Sequence, residues 1–368
     1  MTVGEEVTAE EVTAEDVTVK DVTVKDVSVK EVTAEAGRIL GQAMAFQPAK
    51  LVLAGVETGL FGTLAEGPLP EEALRERLGL QPRGCDHFLA ALAELGFLER
   101  TSDGSWANTR ISAQLLVPGD PASLSGFLGL AGQVMYPAWD KLAEGLRTGA
   151  PQAATYTGED MFGELYDSDE KKGGLVDMAE DASRPLIPVL TRVFDWASYR
   201  SVLELGGCRG NVLAGVVRAH PHLAARVFDL PQLRGDFDAH MASLGMTGEL
   251  GFHGGDFFTG PLPEADVLML GHALVDWNDD QRAQLVENAY AAVRPGGAFL
   301  VWDPVIVPDE ESYLRNLLRS LNLQLMTPHG KGYTLEQCAG WMRGAGFARV
   351  EHRSLGHDVT LVIGHKAP

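Results

Sequence analysis

The stretch Val202-Leu203-Glu204-Leu205-Gly206-Gly207-Cys208-Arg209-Gly210 decides how this chain is read. An apolar run that closes on an acid and then on glycines predicts a buried strand entering a tight turn. Such a turn lets a ligand approach the backbone and the N-terminus of the following helix. Further short strand-like stretches at 225–230, 250–253, 267–270, 298–301, 349–352 and 359–363 predict more strands, and helical spacing separates most of the first five. Alternation of this kind predicts an α/β fold with a doubly wound, mostly parallel, Rossmann-like sheet, whose ligands sit beyond the carboxyl ends of the strands.

The turn itself narrows the ligand. A dinucleotide fingerprint would put glycines at 206, 208 and 211, but Cys208 and Asn211 occupy the last two positions. A nucleoside without a pyrophosphate fits better. Asp229, closing the second strand, would accept both ribose hydroxyls, and Glu204 would face the positive end of the ligand or orient the loop. After the third strand comes Gly254-Gly255-Asp256-Phe257-Phe258, where Asp256 suits an exocyclic amine of adenine and Phe257 suits its ring face. Each motif alone is weak, because a loop carboxylate usually serves only its own loop; the order and spacing make the set specific.

Working towards the N-terminus, residues 121–199 predict a helical segment carrying Met135, Tyr136, Trp139, Met161, Phe162, Tyr166 and Met178. Most of these belong to a core, and a minority line a small apolar pocket. Residues 37–120 predict two helices around the Leu78-Gly79-Leu80 turn and then a small hairpin, a winged-helix outline. DNA binding is its obvious reading, yet residues 71–110 hold seven acids against five bases, and Arg83 is the only cation near the second helix. A dimerisation role suits that charge better. Residues 1–36 are dominated by six pentads with valine at 7, 12, 17, 22, 27 and 32. A period of five matches neither helix nor strand, so a disordered acidic tail is expected.

The whole chain has 368 residues, 45% of them hydrophobic and 22% charged, with a formal net charge of -21. That surface repels phosphate backbones and anionic headgroups, so neither nucleic acid nor membrane is an expected partner. No run of about 18 uninterrupted apolar residues occurs, and the acidic N-terminus is unlike a secretory signal, which predicts a cytoplasmic protein. Cys85, Cys208 and Cys338 are too far apart to suggest a disulfide framework or a structural zinc site.

Taken together, Phe228-Asp229-Leu230-Pro231, Gly255-Asp256-Phe257-Phe258, Leu274-Val275-Asp276-Trp277 and Val293-Arg294-Pro295-Gly296-Gly297 resemble one family. It is the small-molecule O-methyltransferases of the caffeate and hydroxyindole type, which use S-adenosylmethionine (SAM). The resemblance spans roughly residues 38–365. It implies a homodimer with intertwined N-terminal domains, a small aromatic substrate typical of secondary metabolism, and cofactor contacts at Gly206, Asp229, Leu230, Asp256, Phe257 and the position of Gly271, to which the reading of the glycine turn adds Glu204 and Gly207. Met135, Trp139, Met178, Trp277 and Met326 are the expected pocket walls.

The pattern departs from the family at one position. Relatives carry a histidine immediately before the Asp-Trp pair, as the base that deprotonates the substrate hydroxyl, whereas this chain has Val275. A phenol of pKa about 10 gains roughly 10²- to 10⁴-fold in rate from such a base. Three explanations stay open. The substrate attacks through carbon, or its hydroxyl is acidic enough to ionise unaided, or another residue is the base, with His272 and His329 as candidates beside Asp276. A related branch methylates carbon around an iron ion; Asp276 and His329 match that pattern but Val275 removes a ligand, so no metal is expected. Loss of the histidine tilts the expectation modestly towards C-methylation. A SAM-binding relative that has lost methyl transfer, serving as a scaffold or in another ligand-assisted reaction, is the alternative.

Overall fold

The computed structural model describes residues 29–119, 123–153, 162, 166 and 169–368. Residues 1–52 and Leu53–Pro368 are separate compact units. The first 28 residues of the pentad tail, and Met161, lie outside the described residues. Helix α1 (Val29–Ala43) covers residues 29–36, which the pentad period had assigned to a structureless tail. Its first turn carries Glu31, and Glu35 pairs with Arg38 one turn on. Both features favour helix where the five-residue period alone predicts none. Helix α2 (Phe46–Glu57) follows after a turn. The stretch Lys30–Glu57 has a window of mean hydropathy 1.3, enough by length and composition to cross a membrane. A search for uninterrupted apolar runs misses it because glycine, glutamine and Lys50 are scattered through it.

Helices α3 (Leu60–Ala65), α4 (Glu71–Leu78) and α5 (Cys85–Glu94) lead into β1 (Leu98–Arg100) and β2 (Trp106–Asn108). The two strands pair antiparallel, Leu98 opposite Asn108, and complete the expected wing. Gly79 ends α4 at φ 65° with its N–H on the Arg75 carbonyl, so the glycine of Leu78-Gly79-Leu80 makes the turn between the two helices. Helices α6 (Arg110–Leu115), α7 (Ser125–Leu130), α8 (Tyr136–Asp140), α9 (Leu142–Thr148), α10 (Asp169–Ser183) and α11 (Ile187–Val193) follow.

Seven strands then form one sheet: β3 (Ser201–Leu205), β4 (Ala224–Asp229), β5 (Leu250–Gly254), β6 (Ala265–Gly271), β7 (Val293–Asp303), β8 (Arg349–Gly356) and β9 (Val359–His365). Their order is β5-β4-β3-β6-β7-β9-β8, with the first five parallel and β9 antiparallel to both β7 and β8. The chain starts in β3 at the centre, so the connections reverse direction there and open a crevice at its carboxyl end.

Helices α12 (Asn211–Ala219), α13 (Arg234–Ser243), α14 (Asp279–Ala292), α15 (Tyr313–Met326) and α16 (Leu335–Ala345) complete the chain. Side chains alternate between two cores. Val202, Val267, Met269, Ala298 and Leu300 face one, with Val212, Leu213 and Val216 of α12. Leu203, Leu205, Leu268, Leu270 and Phe299 face the other, with Leu285 and Val286 of α14. Strands buried on both faces read as continuous apolar runs, which is why the sequence shows runs and no clean alternation.

Candidate active site

The glycine turn after β3 is shaped by what lies beneath it. Gly206 takes φ 64°, and the expected glycine site at 208 holds Cys208 at φ 53°. That conformation is costly for a side chain with a Cβ. It is held because the Cys208 N–H donates to Asp229 Oδ2 at 2.8 Å, while the Leu230 N–H donates to Oδ1 at 2.7 Å. Asp229 therefore organises two loops at once. Burial pushes its carboxyl up to about 6, against the pull of those two amides. Glu204 lies under the turn, 3% exposed, and a Cβ on Gly207 would sit 2.8 Å from its Oε2. That oxygen is sealed and has no partner among the described residues. Burial pushes Glu204 up to about 8, with the Leu213 amide pulling the other way. A buried carboxyl with one oxygen unpartnered under a glycine turn suits a cationic ligand group, which would return the ionised form.

After β5, the Gly255 N–H donates to the Asp229 carbonyl at 2.9 Å, and Asp256 accepts from the Phe258 N–H at 2.8 Å. The Asp256 side chain thus stiffens its own loop. Phe257 and Phe258 form an aromatic corner with Trp277, whose ring meets theirs nearly edge-on at 5.8 and 4.7 Å between centroids. Phe162 extends the corner, 5.6 Å from Trp277 and 6.1 Å from Tyr166. The Tyr166 hydroxyl is held well above its ordinary pKa, first by burial and then by Asp229, Cys208 and Asp276. It therefore stands as a neutral group between the cofactor turn and the Asp276 loop.

Of the expected pocket walls, Met135, Trp139 and Met326 come together around Leu325, and Trp139 Nε1 donates to Asn322 at 2.9 Å. Trp277 belongs to the aromatic corner instead. Met178 sits half-buried on α10, whose Asp177 and Glu180 bind Arg209 of the glycine turn at 2.8 and 2.7 Å.

The loop after β6 sorts the candidate bases. His272 is outside any helix, at φ 51°, with its N–H on the Trp302 carbonyl at 2.9 Å. Its Nε2 is sealed from solvent without a partner among the described residues, and burial, with Arg319 nearby, lowers it to about 4. So placed, the imidazole is neutral and weakly basic. His329 is exposed on the loop after α15. Val275 is buried. Asp276 is half-buried, and loss of water raises its carboxyl to about 7, with Arg282 pulling it down. Asp303, fully buried at the end of β7, accepts from the Tyr333 hydroxyl at 2.7 Å and is pushed up to about 8, by burial first. Among the described residues no three His, Cys, Asp or Glu side chains gather to hold a metal ion. Gly271 has no room for a side chain: a Cβ there would lie 2.0 Å from the Trp302 indole.

Two family matches divide the chain. Residues 139–348 match the O-methyltransferase domain, and residues 43–118 match the O-methyltransferase dimerisation domain. The chain belongs to the O-methyltransferase family. The methyltransferase is 40% identical over 330 residues to the tetracenomycin polyketide synthesis 8-O-methyl transferase TcmO of Streptomyces glaucescens, covering 90% of this chain and 96% of that one. It is 33% identical to the N,N-dimethyltransferase OxyT of Streptomyces rimosus, over 85% and 91% of the two chains. Its fold matches human N-acetylserotonin methyltransferase solved in complex with SAM, with TM-score 0.81, 26% identity and coverage of 90% and 98%. It is a SAM-dependent methyltransferase, and the residues described above are of the kind that cofactor would need: a glycine turn, a buried acid at the end of β4 and a buried acid with one oxygen left without a partner among the described residues. The dimerisation match begins inside the apolar Lys30–Glu57 stretch.

Sequence reasoning named Tyr166 and Phe162 as pocket-or-core residues without choosing between them, and missed Arg282, Asp303 and Tyr333. Arg282 had one available signal, as a lone base after Asn278-Asp279-Asp280-Gln281 at a helix start. Asp303 and Tyr333 are 30 residues apart, and only the fold, which sets the loop before α16 beside the end of β7, brings them together.

Proposed function

We propose that this methyltransferase methylates a hydroxyl oxygen of a small aromatic acceptor of the polyketide kind, with Asp276 taking the hydroxyl proton. The observation that carries the reading is Asp276, a half-buried carboxyl raised to about 7 beside the Phe257, Phe258 and Trp277 corner. A base poised near neutral pH is what transfer to a phenolic oxygen needs once the histidine is gone. His272 and His329 are set aside, the first because its Nε2 is sealed and the second because it is exposed.

When bound, SAM supplies a methyl group on a cationic sulfur that leaves as a neutral thioether. Asp229, Leu230, Gly206 and Gly207 hold its ribose end, Glu204 faces its charge, and Asp256 with Phe257 receives the adenine. The aromatic corner and the Met135, Trp139 and Met326 cluster hold the acceptor and exclude water. Most of the rate then comes from holding the reacting atoms close in a dry site. As the methyl bonds to oxygen, the hydroxyl proton passes to the Asp276 carboxylate, and the products are the methyl ether, S-adenosylhomocysteine and a proton. The dimerisation domain supports a homodimer.

Attack through carbon is the second reading, favoured by buried Val275 in place of an imidazole. The relative named for 8-O-methyl transfer supports oxygen. A screen of hydroxylated polycyclic aromatics, phenols, indoles and keto acids with methyl-labelled SAM tests both: fragmentation of the product is expected to put the label on oxygen. A label on carbon would transfer the assignment to the second reading, and tight SAM binding without any labelled product across the panel would count against both.

A further inference from the structure

A buried arginine is expensive to desolvate and is ordinarily matched to a buried carboxylate. Arg282 of α14 is 1% exposed, yet among the described residues the side chain it hydrogen-bonds, Asp279 at 2.8 Å, is itself 64% exposed, while buried Asp303 and half-buried Asp276 feel its charge without a hydrogen bond to it. Its other donors point to backbone. Nε donates to the Leu274 carbonyl at 2.9 Å, and Nη2 donates to the Val275 carbonyl at 3.3 Å and to the Lys331 carbonyl. The Lys331 N–H in turn donates to the Val275 carbonyl at 2.8 Å. Tyr333 and Trp341 cover the guanidinium faces, 5.2 and 5.5 Å from its carbon. The Val275 amide also faces the Asp303 carboxyl. Val275, the residue before Asp276, is therefore held at both its backbone N–H and its carbonyl, and the planar five-donor fork of one arginine ties it to the loop that carries His329 and Lys331.

We propose that Arg282 is a positioning residue for methyl transfer: it pins the Leu274–Trp277 segment to the 331 loop and so fixes Asp276 and Trp277 relative to the bound cofactor. The proposal rests on the reading of Asp276 as base. A carboxylate displaced by about an ångström loses on the order of 10²-fold in rate, whereas the Arg282 hydrogen bonds among the described residues go to Leu274, Val275, Asp279 and Lys331 and none to the glycine turn or Asp229, so cofactor affinity is expected to hold. Arg282 also supplies a positive charge beside Asp276, which is faced by Asp303 from β7 and Tyr166 from the segment before α10.

The test compares wild type, Arg282→Lys, Arg282→Gln and Asp276→Asn, using an acceptor from the labelled-SAM screen. Arg282→Lys keeps the charge but not the fork. It is expected to bind S-adenosylhomocysteine within threefold of wild type, to lose at least tenfold in kcat, and to leave the acidic limb of the pH–rate profile in place. Arg282→Gln is expected to show the same loss in kcat with that limb moved to higher pH. The proposal is overturned if Arg282→Lys keeps kcat within twofold, or if cofactor affinity and kcat fall together as in a loosened fold. Should Arg282→Gln not fold, the lysine variant decides alone. Full activity of Asp276→Asn would instead remove the base assignment, whatever the arginine variants do.

Discussion

Replacing Asp229 by asparagine tests the cofactor cradle at its most connected atom. In the wild type both carboxylate oxygens are engaged, Oδ2 by the Cys208 N–H at 2.8 Å and Oδ1 by the Leu230 N–H at 2.7 Å. An amide keeps only one acceptor oxygen, so one of the two backbone donors is left facing an NH₂ group, and the site also loses an acceptor for a ribose hydroxyl. Hydrogen bonds to a charged group are worth roughly 1.5–3 kcal/mol net, and a stranded buried donor costs about 1–3 kcal/mol. Part of the loss falls on folding, because Cys208 then loses what holds it at φ 53°. The remainder on binding is about 1–3 kcal/mol, or roughly 5- to 150-fold in Kd. Calorimetric titration with S-adenosylhomocysteine measures it without needing an acceptor. An affinity within twofold of wild type would refute the assignment of Asp229 to the ribose.

Two further outcomes follow from buried groups. Glu204, Asp303, Asp276 and Asp229 are held at about 8, 8, 7 and 6, whereas unfolded carboxyls release their protons near pH 4. Between those limits the folded state binds more protons than the unfolded one, so stability falls as pH rises from about 4 to 8. The Tm of the cofactor-free protein should drop across that window, and Glu204→Gln should flatten the slope; a Tm that climbs with pH would contradict the burial argument. Gly271→Ala drives a Cβ into the Trp302 indole and should cost about 1–3 kcal/mol or more by denaturant unfolding. Trp302→Leu in the same chain should recover much of it, and simple additivity of the two changes would mean that the contact is not the cause.

How much of this was legible beforehand depends on the range of the interactions. All seven strands of the large sheet stand where strands were expected; the central ones, β3, β6 and β7, showed as apolar runs because both their faces are buried, while the edge strands β5 and β8 are largely exposed and carry polar residues. Their ends shifted by up to a few residues, most in β7, which begins at Val293, before Pro295, Gly296 and Gly297, residues that read as a turn. The acids of the cradle were readable for the same reason: they close consecutive parallel strands, so sequence order maps onto one edge of the sheet. The base was not. His272 and His329 are chemically the better candidates on paper, and only burial and backbone geometry separate them from Asp276. Asp303, Tyr333 and Arg282 meet through three different elements, and no local spacing marks such a meeting. The membrane-length hydropathy of Lys30–Glu57 was missed because polar residues break the run without lowering its average enough.

The central claim is that Asp276 is the proton acceptor for transfer to oxygen, and the pH dependence of kcat/KM for wild type and Asp276→Asn tests it most directly. Asp276 is raised to about 7 and acts when ionised, so wild-type activity should climb with pH through about 7 and level off above it. The asparagine variant should lose roughly 10²- to 10⁴-fold, lack that limb, and still bind S-adenosylhomocysteine as wild type does. A variant within threefold of wild type with the same limb would contradict the account.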